Sequence, residues 1–339
     1  MTAPDHHGPT PGRAPKRVLV TGAAGYLGRQ LCERLAASPA YHVLGVDVRG
    51  PEDVEGPLGF ELRRLDVRDP ALADVAAGHR TTHVVHLASV LQASRDRARD
   101  HDIDVGGTRN VLEACLAAGV GHLTVTSSGA AYGYHPDNPA WIDEADPLRG
   151  NPEFAYSDHK RLVEELLARY RTEHPELRQL VLRPGTVLGD TTENQITGLF
   201  TGRRVLALRG SDSPFVLIWD ADVLAILEQG VRTDATGIFN LAGDGALTMA
   251  EIADLLGKPL LRLPVWLVRA GLQVQRWRGR PVGPEQVAFL RYRPVLSNRR
   301  LKEEFGYVPQ RTTAEVLRGF AVARGMLAPA DAEPERERA

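Results

Sequence analysis

The sequence predicts an α/β protein with a doubly wound parallel sheet and a smaller C-terminal lobe. Two observations support this fold class. Short apolar runs alternate with amphipathic helical patterns over residues 16–189, and the first run ends in a glycine-rich turn that opens a helix. Strands that alternate with helices in this way pair in parallel, and ligands bind at the carboxyl ends of such strands. We therefore expect the functional site at that edge of the sheet.

Composition excludes several classes of protein. The 339-residue chain has a net charge of −2, and its basic and acidic residues are interleaved, so no basic block predicts nucleic-acid binding. Cys32 and Cys115 lie within helical patterns and lack the spacing of a zinc site, which predicts buried thiols in a reducing cytoplasm and no bound metal. No stretch approaches the ~20 apolar residues of a membrane span.

Both ends of the chain are predicted to be disordered. Residues 1–15 are rich in proline, histidine and glycine and lack the apolar segment of a signal peptide. Residues 328–339 are charged and contain proline. Segments of this composition carry too little apolar surface to fold, so we expect a disordered arm and a disordered tail.

The glycine-rich turn predicts a Rossmann-type dinucleotide site. The apolar run of residues 16–22 is followed by Gly22, Gly25 and Gly28 and then by a helical pattern. The first two glycines let the backbone approach a pyrophosphate at a helix N-terminus, and the third lets helix and strand pack closely. The next strand ends in Asp47, about 20 residues later, where a carboxylate can accept hydrogen bonds from ribose hydroxyls.

The residues after this second strand bear on which dinucleotide binds. Asp47 would repel a 2′-phosphate and therefore favours NAD over NADP. Arg49 weakens that preference, because an arginine at this place could pair with the phosphate. Asp66, at the end of a third predicted strand over residues 60–67, is a candidate for the adenine pocket, and a strand-end or helix-capping role fits it equally well.

Two further strands bring small and hydroxyl-bearing residues to the same edge. Residues 82–89 predict a buried strand in which His86 is a core histidine and Ala88 is small enough for a cofactor to lie across it. After a helix over residues 102–118, the next strand ends in Ser128. A serine at a strand end commonly caps a turn, but the small residues that follow Ser128 leave room for a substrate.

A helix over residues 153–170 carries the most informative pair of side chains. Tyr156 and Lys160 lie one helical turn apart, on the same face and near the N-terminus of the helix. An ammonium beside a phenol stabilises the phenolate, which suits Tyr156 to proton transfer near neutral pH. Taken alone, the pair also fits a surface helix with one aromatic side chain and one solvated lysine.

Together, these motifs resemble the extended short-chain dehydrogenase/reductase superfamily and, within it, the NAD-dependent epimerase/dehydratase family. The resemblance covers about residues 16–325. The stretches that carry it are Asp47, Asp66 and residues 21–28, 86–88, 107–110, 127–128, 132–133, 156–160, 182–184, 215–223, 237–243 and 301–307.

The resemblance implies roles for individual residues. Ser128, Tyr156 and Lys160 would form a catalytic triad, in which the tyrosine moves the hydroxyl proton, the serine binds the substrate oxygen and the lysine holds the nicotinamide ribose. The residues expected to contact NAD are Gly22, Ala24, Gly25, Tyr26, Leu27, Asp47, Arg49, Asp66, Val67, Leu87, Ala88, Ser89, Tyr156, Lys160 and Pro184. The residues expected to contact the substrate are Val90, Ser128, Gly129, Ala130 and Thr186.

Departures from the family pattern narrow the reaction. Gly129 and Ala130 stand where the 4,6-dehydratases carry an Asp-Glu pair, which argues against dehydration. Thr186 and Ser213 stand near positions where many sugar-nucleotide epimerases have Asn and Arg, which argues against a nucleotide sugar. Asp104 replaces a common Asn and is either buried beside the active-site lysine or exposed on a helix surface.

These observations leave three functions, in order of preference. The first is NAD-dependent hydride transfer at a secondary alcohol or ketone carbon, as in a sugar or sugar-nucleotide epimerase. The alternative is an NAD(P)-dependent dehydrogenase or reductase acting on a non-nucleotide small molecule. The third is a non-catalytic NAD-binding sensor. We expect a cytoplasmic homodimer with a small-molecule substrate.

The domain organisation follows from the same patterns. Residues 16–189, with 215–243 returning to them, are predicted to bind NAD, and residues 190–214 and 244–327 to form the substrate-binding lobe.

Within residues 190–327 we expect a turn and strand over residues 209–216 and an N-terminal cap at Asp220 or Asp222. Thr248 and Glu251 have the spacing of a capping box. The amphipathic helix over residues 263–280 is expected to pack on the other lobe or a second subunit, in preference to a membrane surface.

Overall fold

A computed structural model describes residues 14–91, 94, 96–193, 196–280 and 282–329. The predicted disordered arm and tail fall almost entirely outside these residues, because residues 1–13 and 330–339 are not among them.

A seven-stranded parallel sheet lies at the centre of the protein, with the strand order β10-β6-β5-β4-β1-β2-β3. This confirms the predicted fold class. The strand order reverses between the neighbouring strands β1 and β4. In doubly wound folds, ligands bind at the carboxyl ends of the strands beside such a switch point. The strands of this sheet are β1 Lys16–Thr21, β2 Tyr41–Asp47, β3 Glu61–Arg64, β4 His83–His86, β5 His122–Thr126, β6 Arg178–Pro184 and β10 Gly237–Leu241.

Helices cover both faces of the sheet, so its central strands are buried on both sides. Val18, Leu19 and Val20 in β1 are at most 1% exposed although they point to alternate faces, which explains why the strand is a continuous apolar run. The helices are α1 Tyr26–Ala36, α2 Leu72–Gly78, α3 Arg97–His101, α4 Gly107–Ala117, α5 Ala155–Glu173, α6 Gly198–Thr201, α7 Asp220–Thr233, α8 Met249–Leu255, α9 Val265–Trp277, α10 Gln286–Arg291, α11 Arg299–Glu303 and α12 Thr313–Ala323.

The remaining strands form two small parallel pairs. β7 Thr186–Leu188 pairs with β9 Leu217–Trp219, and β8 Val205–Leu208 pairs with β11 Leu260–Leu263. A separate apolar core centred on Phe200, Phe215 and Phe320 lies beside these pairs.

Some predicted elements differ from those observed. The third strand ends at Arg64, before Asp66, and the helix predicted from residue 102 continues from α3 through a π-helical turn, Asp102–Gly106, into α4. Of the turn and strand predicted over residues 209–216, the turn is present at residues 209–210, but the strand begins only with β9, and within the segment Phe215 alone forms a bridge, with Leu247.

The N-terminus of α7 also differs from the predicted one, which had Asp220 or Asp222 as its cap. Its capping residue is Trp219, and Asp220 and Asp222 lie inside the first turn. Asp222 instead accepts hydrogen bonds from the Tyr307 hydroxyl at 2.7 Å and the Gln310 N–H at 3.1 Å. The carboxylate that the local sequence predicted to be a helix cap therefore binds a segment far away in the sequence, at residues 307–310.

Candidate active site

A cavity of about 1710 Å³ extends along the carboxyl ends of the sheet strands and beneath α9. Its size exceeds the roughly 300–1,000 Å³ of ordinary small-ligand pockets, so it has room for a dinucleotide and a second molecule. All predicted cofactor and substrate residues line it except Ala24. Ala24 lies directly behind the wall, where its N–H donates to the Asp47 carboxylate at 3.0 Å.

The glycine turn brings bare backbone to this cavity. Gly22 has a φ of +70°, and a Cβ at this residue would lie 2.7 Å from the Ala88 nitrogen. A Cβ at Gly28 would lie 2.1 Å from the Gly22 oxygen, so the start of α1 packs directly on the turn. Gly25 precedes α1 and has no side chain to cover the first N–H groups of the helix. These free donors can bind a phosphate.

Asp47 and Arg49 form a fixed group at the end of β2. One Asp47 oxygen accepts the Ala24 N–H and the other accepts the Arg49 N–H, each at 3.0 Å. The Arg49 guanidinium hydrogen-bonds to the Ala24 oxygen, and its side chain is half exposed. Asp47 is therefore held at the cavity wall in the position expected for a ribose contact, and Arg49 lies beside it.

Asp66 lines the cavity and also has a local structural role. Its carboxylate accepts hydrogen bonds from the Arg68 backbone N–H at 3.0 Å and from the Arg68 guanidinium at 2.6 Å. These hydrogen bonds lower the pKa of the Asp66 carboxyl below its usual range. The expected strand-end or helix-capping role is wrong, because β3 ends at Arg64 and α2 is capped at Ala71, whereas a contact with the cofactor is compatible with the position of Asp66.

Ser128, Tyr156 and Lys160 all line the cavity. α5 begins at Ala155, so Tyr156 lies in its first turn and Lys160 one turn later. The Lys160 Nζ lies 5.7 Å from the centre of the Tyr156 ring and donates to the Thr126 oxygen at 3.3 Å. The Lys160 side chain is thereby held between the helix and the end of β5.

Ser128 follows β5 on the other side of this lysine. Its Oγ accepts the Ala130 N–H at 3.1 Å. Because the serine oxygen is an acceptor in that contact, its own O–H remains able to donate to an oxygen in the cavity.

Asp104 is a buried carboxylate beside the active-site lysine. It is 3% exposed, and it accepts hydrogen bonds from the Ser89 hydroxyl at 2.9 Å, the Val90 N–H at 2.8 Å and the His159 ring at 2.9 Å. Burial raises the pKa of the Asp104 carboxyl, but His159, the Lys160 charge and the other donors outweigh burial and lower it. Of the two positions that the sequence left open, the buried one is correct.

His86 is the core histidine that the sequence predicted. Its ring nitrogens lie 2.7 Å from the Thr21 hydroxyl and 3.0 Å from the Thr108 hydroxyl. Burial, and secondarily the charge of Lys160, lower the pKa of His86 to about 4. The ring is thus neutral near pH 7.

The geometry agrees with comparisons to known proteins. The model of the NAD dependent epimerase/dehydratase family matches residues 18–220, more than half of the chain. The chain belongs to that family. NAD is therefore the cofactor of this epimerase/dehydratase-family protein, and the bare glycine turn, the N-terminus of α1 and the fixed Asp47 carboxylate fit it.

Two relatives align with most of this chain. An uncharacterized protein of Mycobacterium tuberculosis strain H37Rv is 28% identical over 321 residues, covering 92% of this chain and 85% of that protein. N-acetyl-α-D-glucosaminyl-diphospho-ditrans,octacis-undecaprenol 4-epimerase of Escherichia coli O157:H7 is 26% identical over 260 residues, covering 73% of this chain and 75% of that protein.

Solved structures share the fold of this family member. The Bordetella bronchiseptica enzyme WbmG in complex with NAD and UDP superposes with a TM-score of 0.72 at 21% identity, covering 95% of this chain and 98% of that one. UDP-glucose 4-epimerase of Thermus thermophilus in complex with NAD gives a TM-score of 0.69 at 24% identity, covering 92% of this chain and 100% of that one.

Sequence reasoning missed a buried ion pair that joins α5 to the sheet of this family member. Arg183 in β6 and Glu164 in α5 form it at 2.6 Å, with side chains 4% and 3% exposed. Arg183 also donates to the Tyr132 hydroxyl at 2.7 Å, and the Ser127 hydroxyl donates to Glu164 at 2.6 Å. An arginine inside an apolar strand was the available signal, but the strand alone does not identify its partner.

Sequence reasoning also missed Arg293, which lines the cavity with its guanidinium 3.8 Å from the centre of the Phe215 ring. Burial lowers the pKa of Arg293 to about 9. Within the described residues no carboxylate pairs with it, and its Nε has no hydrogen-bond partner. No local pattern in the sequence distinguishes this arginine from its neighbours.

Two other kinds of site are absent from the described residues. There, no group of three or more His, Cys, Asp or Glu side chains is arranged to hold a metal ion. None of the helices in that part of the chain has the length and apolar character needed to cross a membrane.

Proposed function

We propose that this protein catalyses NAD-dependent hydride transfer at a secondary alcohol or ketone carbon, with Tyr156 as acid and base and with epimerisation as the overall reaction. The observation that supports this most strongly is the presence of Ser128, Tyr156 and Lys160 in the same cavity as the glycine turn. Family membership supports the same class of chemistry.

Each protein side chain has a separate task in this proposal. When bound, NAD supplies the carbon that accepts and returns a hydride. Tyr156 takes the proton of the substrate hydroxyl and later gives it back, and Ser128 donates a hydrogen bond to the same oxygen. Lys160 supplies the positive charge that stabilises the phenolate. In epimerisation the hydride returns to the opposite face of the same carbon, so the substrate and cofactor end at their original oxidation levels.

Dehydration is not part of the proposal, because the cavity lacks the extra acid and base at the expected place. Gly129 has no side chain, and a Cβ there would lie 2.8 Å from Leu296. Ala130 is 6% exposed and carries only a methyl group. Elimination of water would need two proton-transfer groups at these positions.

The substrate of this proposed epimerase carries an anionic group. Arg293 supports this, because its buried guanidinium lines the cavity and, within the described residues, no carboxylate neutralises it. The Escherichia coli relative, named as an epimerase of a diphospho-linked sugar, is consistent with a phosphorylated substrate. Thr186 and Ser213 still lack the side chains expected for nucleotide contacts.

A ketone or alcohol oxidoreductase acting on a non-nucleotide molecule is the second candidate. The apolar side chains of the cavity wall beside α9 favour it, because they suit an apolar substrate. The side chains of this wall include Leu199, Leu206, Leu263, Leu267 and Phe289.

The Tyr156→Phe variant tests the catalytic assignment. We expect it to fold normally and to turn over about 10²–10⁴ times more slowly, because it lacks the proton-transfer group. Tyr170→Phe, on the same helix but outside the cavity wall, is the matched control. The assay follows inversion and NADH formation with a panel of sugar nucleotides and ketones.

The outcomes of this assay separate the candidates. Inversion without net NADH supports the epimerase, whereas net NADH or net ketone reduction supports the oxidoreductase. Complete inertness together with tight NAD binding would favour the sensor. Wild-type turnover in Tyr156→Phe would show that the catalytic assignment is wrong.

A further inference from the structure

Helix α9 presents two different apolar faces. Leu267, Val268 and Leu272 point into the cavity and form part of its wall. On the other side, Trp266 is 70% exposed and Trp277 is 76% exposed. At 100° per residue, these two tryptophans lie on the same side of the helix, separated by roughly 16 Å along its axis. No residue of α9 is buried, so its outer face has no covering element in the described part of the chain.

The exposed apolar surface of the protein is concentrated on this helix. Of the ten large apolar side chains exposed in the described residues, four belong to α9: Trp266, Leu267, Val274 and Trp277. Single exposed apolar residues are ordinary, but a contiguous patch commonly marks a binding surface. We call the side of α9 that carries Trp266 and Trp277 the outer face.

The chain segment that contains α9 carries only positive charges, and within the described residues its acidic partner is Glu285, which pairs with Arg276 at 3.3 Å. Residues 258–284 contain no aspartate or glutamate in a chain whose net charge is −2. Arg269 and Arg278 are exposed, and neither has an acidic partner in the described residues. The basic residues of this segment are Lys258, Arg262, Arg269, Arg276, Arg278 and Arg280.

We propose that the outer face of α9 docks on the surface of an anionic membrane. Tryptophan rings suit the headgroup region, because each has an apolar body and a polar N–H, and arginines beside them can pair with lipid phosphates. A second copy of this chain fits the face less well. A symmetric contact would place the same basic segment against itself, and like charges across an interface are repulsive.

Docking in this way would place the cavity next to the lipid surface, because the two faces belong to one helix. Leu206 and Leu267 line the cavity and are also 47% and 42% exposed, so the cavity reaches the protein surface beside α9. Docking would involve only the surface of α9 and would not require the reaction proposed above.

The test uses the full chain and vesicles of phosphatidylcholine with or without phosphatidylglycerol. We expect cosedimentation with the anionic vesicles, weakening as salt is raised, and little with the neutral ones. Phospholipids with brominated acyl chains should quench the tryptophan fluorescence of the bound protein. Absence of binding to anionic vesicles at low salt would overturn the proposal.

Substitutions locate the contact. Trp266→Ser with Trp277→Ser should weaken vesicle binding by about tenfold, and Arg269→Gln and Arg278→Gln by about fivefold each. None of these four residues lines the cavity. Trp141→Ser is the matched control, because Trp141 is 50% exposed and lies outside α9.

Two further results would contradict the proposal. If the α9 variants and Trp141→Ser bind vesicles equally, the contact lies elsewhere. If the double tryptophan variant reduces the oligomer mass in sedimentation analysis and the wild type ignores vesicles, the outer face joins two copies. Should the double variant fail to fold, quenching by brominated lipid that persists in Trp141→Ser supports the proposal, and loss of quenching there overturns it.

Discussion

Lys160 lies beside a buried carboxylate and a buried imidazole, and these two neighbours have opposite electrostatic effects. Asp104 and His86 line one small cavity with Lys160. Asp104 is ionised and balances the ammonium, whereas His86 must stay neutral, because a second positive charge at this depth would be costly. Thr108 donates to the Asp104 backbone oxygen at 2.6 Å and therefore accepts from His86, which places the imidazole proton on Nε2.

This arrangement predicts a pH effect on stability. The unfolded chain protonates His86 near pH 6.5, whereas the folded protein does so near pH 4. The stabilisation is therefore complete above pH 6.5 and is lost as pH falls towards 4, a change of about 3 kcal/mol in the free energy of unfolding.

His86→Gln should reduce the loss of unfolding free energy between pH 6.5 and 4. The control is His42→Gln, at an exposed histidine, which should lose as much unfolding free energy as the wild type. Urea unfolding at pH 7.0 and 4.5 gives the comparison. Equal acid sensitivity in wild type and His86→Gln would refute the role of His86.

At the scale of elements, a polar network joins α5, the helix that carries Tyr156 and Lys160, to the sheet. Glu164 of α5 pairs with Arg183 of β6, and Tyr132 connects Arg183 to Asn240 of β10 through a hydrogen bond of 2.9 Å. Ser127, next to Ser128, donates a hydrogen bond to the same glutamate. The network therefore fixes the rotation and height of α5 and with them the direction of its Tyr156 side chain.

Glu164→Gln should strongly destabilise the protein. It leaves the buried Arg183 guanidinium without its counter-charge, which we expect to lower the free energy of unfolding by about 3–5 kcal/mol. Glu165→Gln removes the carboxylate of the neighbouring Arg161 pair, whose glutamate is 55% exposed, and should cost less than about 1 kcal/mol. Urea unfolding of both variants measures the difference. Similar losses in the two would show that the buried pair has no special role.

At the scale of the whole molecule, the large cavity lies along the carboxyl edge of the central sheet. The strand ends carry residues that we expect to contact NAD, and α9, α10 and the segment before β9 contribute other parts of the cavity wall. Homodimer formation, cytoplasmic location and the division into a cofactor domain and a substrate lobe stay predictions.

Ligand binding to this cavity should stabilise the fold with a preference for NAD. At 100 times its dissociation constant, NAD should add about 2.7 kcal/mol to the free energy of unfolding, and NADP should add less, since Asp47 repels its 2′-phosphate. Asp47→Asn should narrow the difference, because Arg49 remains beside the site. Differential scanning fluorimetry with both cofactors provides the measurement. Equal stabilisation of the wild type by NAD and NADP would contradict the assigned preference.

The sequence by itself determined the parallel sheet, the glycine turn and the positions of Ser128, Tyr156 and Lys160 on their elements. These features depend on short-range rules: the period of apolar residues, the backbone freedom of glycine and the fixed spacing of a helical turn. The same rules gave the capping box at Thr248, which the structure confirms.

Only the tertiary structure decided the contacts between distant segments. Asp222 accepts a hydrogen bond from Tyr307 and does not cap a helix. Asp104 is buried beside Lys160, and Arg293 of the C-terminal part of the chain lines the cavity. A charged side chain has many acceptable partners, and local sequence does not specify which segment will lie against it. Packing makes that choice, because a buried charge is stable only where partners from other elements meet it.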